Sequence, residues 1–343
     1  MSPRVIIVTG SAPPEACGVG DYAALLVTGL QNAGVQAELF HHSRWNLAGT
    51  WDALQKLGAS KDALVHIQYP SFGYGYSLGP QLCAMMRSCV VTIHEFSCAH
   101  LLRRFSILPF SFRAMRIVTM TEVEKQAIGH IMPWAAHRIQ VITVPSNTPK
   151  PKSLHVDKLQ RVVYFGLIMP NKGIEEFIEA GRIAKSKGYQ WDAVIIGMVP
   201  ERHREYAQSI VDAAMSSGVQ LILDQDLEVA SEELAKSALC YLPFPDGIAE
   251  RRSSFKSTCT AGLPCITTRG DQTPADLNGV VRFVANPAEA VEEMAKLMND
   301  PEEAARLSAA CLRWVAQFSW ERTIELHVQM YSELYGQLHR LKQ

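Results

Sequence analysis

The stretch Arg161-Val-Val-Tyr-Phe-Gly-Leu-Ile-Met-Pro-Asn-Lys-Gly-Ile-Glu-Glu176 decides the fold. Its opening, Val162-Val-Tyr-Phe165, is apolar at every position. A strand without polar alternation is buried on both faces, as in a parallel sheet covered by helices. After the loop, apolar residues recur at 174, 177, 178, 183 and 184, a spacing that predicts a helix over 174–187. Strand, glycine-bearing loop and helix together make one β-α unit of a doubly wound sheet.

The alternation extends in both directions. Short β-branched runs predict strands at 4–10, 36–41, 64–69, 89–94, 116–121 and 139–144. A second set falls at 161–166, 193–197, 219–223, 238–244, 264–268 and 280–285. Helical spacing covers 21–33, 289–298, 302–317 and a long amphipathic segment, 320–341, opened by Phe318-Ser-Trp-Glu321. Each half reads β-α-β-α, so the chain is α/β with two Rossmann-like doubly wound domains. Ligands of such sheets bind beyond the carboxyl ends of the strands, and two sheets facing across a cleft would share one site.

A chain of 343 residues with 48% hydrophobic content suits two domains with substantial cores. The balance of 33 basic against 34 acidic residues excludes a globally basic nucleic-acid binder. No apolar run reaches about 18 residues, so no spanning helix is expected, and the run at 5–8 is too short for a signal-peptide core. The eight cysteines, among them Cys98, contain no CxxC pair, which points to a reduced cytoplasmic protein without disulfides or a zinc site. Residues 1–150 carry 12 Lys and Arg against 8 Asp and Glu, and residues 151–343 carry 21 against 26. That shift, with three prolines between Pro145 and Pro151, puts a boundary near 145–160. The expected division is 1–150, 151–318, and a terminal helix within 319–343 that crosses back to the first domain.

Five strand-end segments carry polar chemistry. Gly18-Val-Gly-Asp-Tyr22 opens a helix, where missing side chains admit a ligand and the helix end attracts anions; the alternative is a plain turn. His66-Ile-Gln68-Tyr69-Pro70 leads into an aromatic, glycine-rich loop suited to a polyol, or to buried tyrosines. His94 follows an apolar strand beside Glu95, as a site imidazole or a structural one. Gly166, Lys172 and Gly173 place a cation at a helix start, where it attracts phosphate or is merely solvated. Asp246-Gly247-Ile-Ala-Glu250-Arg251-Arg252-Ser253-Ser254 gathers carboxylates for hydroxyls with arginines and helix amides for diphosphate; its alternative is an ion-pair loop. Residues 101–116 hold four arginines, no acid and several large apolar groups, reading as a core helix with basic edges or as a segment dipping into an anionic membrane.

In this order and spacing, the Gly18–Tyr22 loop, His94, Gly166 with Lys172-Gly173, the acidic loop before Ala261-Gly-Leu-Pro264, and Phe318-Ser-Trp320 resemble the retaining GT-B glycosyltransferases of the family 4 type. The match runs over nearly the whole chain, with an Asp-Gly-x-x-Glu-Arg-Arg loop like that of a variant branch. The resemblance implies a hexosyltransferase acting on a nucleotide-sugar, UDP or GDP; with no Asp-x-Asp metal motif read in the chain, no obligatory metal is expected. Lys172, Gly166, Gly173, Asp246, Gly247, Glu250, Arg251, Ser253 and Ser254 would hold the donor. Gly18, Gly20, Asp21, Gln68 and Tyr69 would lie on the acceptor side, and His94, Lys172 and Glu250 would be catalytic. It further implies a glycan, lipid-linked or small-molecule acceptor, polysaccharide or glycoconjugate synthesis, and a cytoplasmic place at the inner face of the membrane. Two departures stand out: Leu167 replaces the usual arginine after Gly166, and Thr258 stands where a second glutamate is usual. They keep open a nucleotide-sugar epimerase of the same fold and a non-catalytic nucleotide-sugar-binding protein.

Overall fold

A computed structural model describes residues 3–340 other than 43, 61 and 98. Cys98 therefore lies outside the described residues; the other seven cysteines are free thiols, all buried. The chain divides into two units, residues 1–144 with 320–343, and residues 145–319.

Unit 1 contains β1 (Arg4–Thr9), α1 (Gly18–Asn32), β2 (Gln36–His41), α2 (Leu47–Ala59), β3 (Leu64–Tyr69), α3 (Gly79–Met86), β4 (Cys89–Ile93), α4 (Leu101–Phe105), α5 (Phe110–Arg113), β5 (Ala114–Thr119), α6 (Glu122–Ile131) and β6 (Ile139–Val141). Unit 2 contains β7 (Arg161–Leu167), α7 (Ile174–Ser186), β8 (Asp192–Met198), α8 (Arg204–Ser217), β9 (Gln220–Leu223), α9 (Leu227–Lys236), β10 (Leu239–Leu242), α10 (Ser253–Thr260), β11 (Cys265–Thr267), β12 (Arg282–Phe283), α11 (Pro287–Asn299) and α12 (Pro301–Val315). The last helix, α13 (Trp320–Arg340), belongs to unit 1.

Each unit is built on a six-stranded parallel sheet, in the orders β2-β1-β3-β4-β5-β6 and β12-β11-β10-β7-β8-β9. Period-two alternation along β1 sends Val5 and Ile7 to the face covered by α1 and α13, and Ile6 and Val8 to the opposite core. Both faces are filled, which is why residues 5–8 of β1 are apolar throughout, and each buried Val, Leu or Ile contributes about 1.5–3 kcal/mol. In unit 2 a single core runs from Val162 on β7 to Phe318 beyond α12. Several helices begin where a side chain caps the first turn: Asn46 accepts from Gly49 N–H (2.9 Å), Thr121 from Glu124 N–H (3.1 Å) and Asp300 from Glu303 N–H (3.0 Å).

Strand order reverses between β1 and β3 in unit 1 and between β7 and β10 in unit 2. These reversals leave crevices at the carboxyl ends of the strands, where parallel sheets bind ligands. Residues 101–116 are not one helix. Pro109 separates α4 from α5, and Arg116 lies on β5.

Candidate functional site

In unit 2, the segments after β7 and β10 meet at the strand reversal. Gly173 caps α7 with φ of 78°, and a Cβ there would sit 1.8 Å from the Pro243 carbonyl oxygen. Only glycine lets the two strand-end loops approach this closely. The residue before it, Lys172, is half-buried, and its carbonyl accepts from Tyr164 O–H (3.2 Å). The first turn of α7 contains Glu175 and Glu176, which oppose an anion there; Glu175 is engaged by Tyr206 O–H (2.7 Å). Lys172 is the cation of this loop.

The loop after β10 is organised by Asp246. Its carboxylate accepts from Arg251 (3.0 Å) and from Arg252. Arg251 also donates to Gln272 (2.8 Å), and the Arg252 guanidinium lies 4.6 Å from the centre of the Phe244 ring. Gly247 takes φ of 78° against the backbone of Gly270, so its missing side chain is filled by protein. The helix that follows, α10, opens without a side-chain cap or an acidic residue in its first turn, at Ser253 and Ser254. Uncapped N–H groups and the helix dipole there attract an anion. Glu250 is half-buried just before this turn.

One residue here escaped the sequence reading. Lys256 is 1% exposed, and its Nζ lies 3.9 Å from the centre of the Phe318 ring. Burial pulls its ammonium down to about 7, against the Glu250 carboxylate, which acts to keep it charged. The lysine's place between apolar Phe255 and Cys259 at helical spacing was the available signal. Thr258 is fully buried, with its hydroxyl on the Phe255 carbonyl (2.9 Å), and is turned to the core.

In unit 1, the ends of β1, β3 and β4 adjoin. Ser71 Oγ accepts from Ser11 N–H (3.0 Å), and Gly20 is backed by the Ser11 carbonyl, 2.6 Å from where a Cβ would lie. Gly18 is half-buried at the start of α1, as is Asp21, whose carboxyl is pushed by burial up to about 6. His94 Nε2 donates to Gln68 Oε1 (2.8 Å), and its ring edges against Tyr22 (5.1 Å), which stacks on Trp320 (5.5 Å). Burial pushes His94 down to about 3, so its imidazole is neutral near pH 7. Beneath it, His66 bonds Tyr331 of α13 (2.5 Å) and Thr92 (2.6 Å).

Gln68 and Tyr69 do not face outward, contrary to the expectation of an acceptor contact. Gln68 is fully buried against His94, and Tyr69 is 7% exposed, its hydroxyl on Ser106 (2.7 Å). β3 is a central strand covered on both faces, so neither parity of side chain reaches solvent. Asp224-Gln-Asp226 has the one-residue spacing of a carboxylate metal pair and was passed over in the sequence. Asp224 accepts from Val199 N–H (2.8 Å), and Asp226 precedes α9. Among the described residues no group of three His, Cys, Asp or Glu could hold a metal ion. No described helix is long and apolar enough to cross a membrane.

No protein-family model matches the sequence, and no curated protein does. Solved structures match over the full chain. A sucrose-phosphate synthase from Thermosynechococcus elongatus superimposes with TM-score 0.72 at 13% identity, over 98% of this chain and 100% of that one. Anabaena HepE in complex with UDP and glucose gives 0.71 at 13%, over 96% and 99%. The catalytic domain of starch synthase IV from Arabidopsis thaliana, bound to ADP and acarbose, gives 0.65 at 14%, over 98% and 99%. The fold of this chain is therefore GT-B, with two parallel six-stranded sheets and flanking helices.

Proposed function

We propose that the protein is a hexosyltransferase that moves a sugar from a nucleotide-diphosphate-sugar to a glycan, lipid-linked or small-molecule acceptor. The observation that carries this is the close approach, at the strand reversal of unit 2, of Gly173 to Pro243, which joins the loop bearing Lys172 to the loop that bears Glu250 and leads to the uncapped start of α10. A cation and helix amides suit a diphosphate, and a carboxylate suits sugar hydroxyls. Neighbours of the same fold carry UDP with glucose, or ADP, in their structures, which supports a nucleotide-sugar donor, read here as a UDP- or GDP-sugar.

The bond between the anomeric carbon and the diphosphate oxygen breaks, and charge develops on the departing phosphate. Lys172 and the α10 amides would stabilise that charge as it forms, with no obligatory metal. The acceptor oxygen bonds to the anomeric carbon on the face the phosphate leaves, retaining configuration, and its proton passes to the phosphate. His94, neutral at physiological pH, would orient rather than act as base.

The acceptor is read as glycan or lipid-linked, in polysaccharide or glycoconjugate synthesis at the cytoplasmic face of a membrane. Exposed Met85 and Met86 on α3, Leu101, Leu102 and Phe105 on α4, and Phe112 beside Arg113 support that setting. Sedimentation with vesicles containing anionic lipid, lost at high salt and in Phe105→Ser/Phe112→Ser, tests it.

The function is tested by a thermal-shift panel of UDP-, GDP-, ADP- and dTDP-sugars, followed by product analysis with the base that binds. A ligand held by the native state alone raises the midpoint. One base should give a shift that Lys172→Ala and Glu250→Ala both lose, with release of the nucleoside diphosphate and glycosylation of acceptor. Binding without turnover would favour a non-catalytic sugar-nucleotide protein, a reading to which Leu167 and the inward Thr258 lend weight.

A further inference from the structure

We propose that Phe318 and Trp320 are positioning residues: Phe318 acts through Lys256 on Glu250 in unit 2, and Trp320 acts through Tyr22 on His94 in unit 1. The inference rests on the reading of Glu250 and His94 as site residues and assigns to them the groups that hold them in place.

In unit 2, Phe318 is itself held. Its ring packs on Trp314 (4.7 Å), which donates from Nε1 to Asp276 (2.9 Å) and meets Phe255 (4.9 Å). The face of this fixed ring lies 3.9 Å from Lys256 Nζ. An ammonium with 1% exposure has lost its hydration, so it depends on the ring quadrupole and on negative charge for its place. Glu250 supplies such charge. Lys256, six residues after the carboxylate assigned to the sugar hydroxyls, thus has its own position set by an aromatic ring at the end of the unit.

In unit 1, the chain resumes two residues later with the same device. Trp320 stacks on Tyr22 at 5.5 Å and 30°, and Tyr22 meets His94 edge-on at 5.1 Å and 77°. Gln68 fixes the other side of the imidazole by its 2.8 Å bond. Tyr22 follows Asp21 in the glycine-rich opening of α1, so Trp320 also braces that loop. What the rings contact are Lys256 in unit 2 and, in unit 1, Tyr22, the residue that lies against His94.

The test uses the full-length protein with Phe318→Leu, Trp320→Leu and the conservative Trp320→Phe. Near-UV circular dichroism and the unfolding midpoint establish that each variant is folded. UDP-glucose and GDP-mannose are the donor probes. Phe318→Leu should weaken the binding probe by about tenfold, make Lys256 reactive to acetic anhydride where the wild type protects it, and leave the 15N-histidine spectrum of His94 in place. Trp320→Leu should shift the His94 resonances and lower kcat severalfold, while the dissociation constant for the probe stays within twofold; Trp320→Phe should restore both. Protection of Lys256 in Phe318→Leu, or an unmoved His94 in Trp320→Leu, would overturn the proposal. If neither probe nor any other nucleotide-sugar of the four-base panel binds the wild type, the functional reading fails, and the acetylation and histidine spectra still decide the positioning.

Discussion

Acidification should unfold unit 1 ahead of unit 2, because three imidazoles are held neutral inside it. His66 and His327 are fully buried, their rings 5.7 Å apart, so a proton on either opposes one on the other. Burial pushes His94 down to about 3 and His327 to about 4, and it lowers His66 well below the usual range, aided by both neighbours. An unfolded histidine titrates near 6.5, so the unfolded chain takes the proton first. Stability is then full above about pH 6.5 and declines as pH falls toward the native values. At pH 5 each group with a native value of 4 or less costs about 2 kcal/mol, and His94 and His327 together about 4 kcal/mol. Asp21 acts in the opposite sense. Its native value near 6 lies above the unfolded one, so acidification relieves its burial and returns about 1 kcal/mol by pH 5. The net loss is about 3 kcal/mol before His66 is added, a large share of the roughly 5–15 kcal/mol of a typical domain. Urea unfolding followed by circular dichroism at pH 7.5, 6.5, 5.5 and 5 measures it. His327→Gln should recover about 2 kcal/mol of the loss at pH 5. A midpoint flat across this range, or a His327→Gln variant with the wild-type slope, would refute the reasoning.

Two further outcomes follow from packing in unit 2. Gly173→Ala places a methyl against the Pro243 carbonyl at a left-handed φ, so it should lose at least about 2 kcal/mol in urea unfolding and most donor binding with it; wild-type stability would show that the two loops can separate freely. Thr258→Glu, which restores the familiar second carboxylate, should not improve donor binding. It buries a charge at a fully buried position and should destabilise by about 3 kcal/mol or more, and tighter donor binding at unchanged stability would contradict the observed orientation of α10.

Much of the fold was legible. All twelve expected strands exist, because runs such as Val162–Phe165 and 193–196 are apolar at every position and bounded by glycine, proline or charge. Their ends were less so. The strand expected at 238–244 stops at Leu242, since Pro243 and Pro245 have no N–H to continue a ladder. Helices α2, α6, α8 and α9 were not singled out. Their apolar residues are interleaved with polar ones, and only the folded sheet decides which of them are covered.

The candidate site divides the same way. Lys172, Gly173 and Glu250 were visible because a strand-end loop keeps its place in any doubly wound sheet. Gln68 and Tyr69 were misjudged and Lys256 was missed because burial is a property of neighbours far away in sequence. Gln68 is covered because β3 lies between β1 and β4, and Lys256 because Phe318 arrives 62 positions later. Periodicity and composition are local, so the chain by itself determined which segments became strands and where loops could present charge. The order of strands, the side of the sheet each helix covers and the partner of each buried polar group depend on long-range packing. The tertiary structure alone decided which of the polar residues at the strand ends are exposed to a ligand and which only hold the others in place.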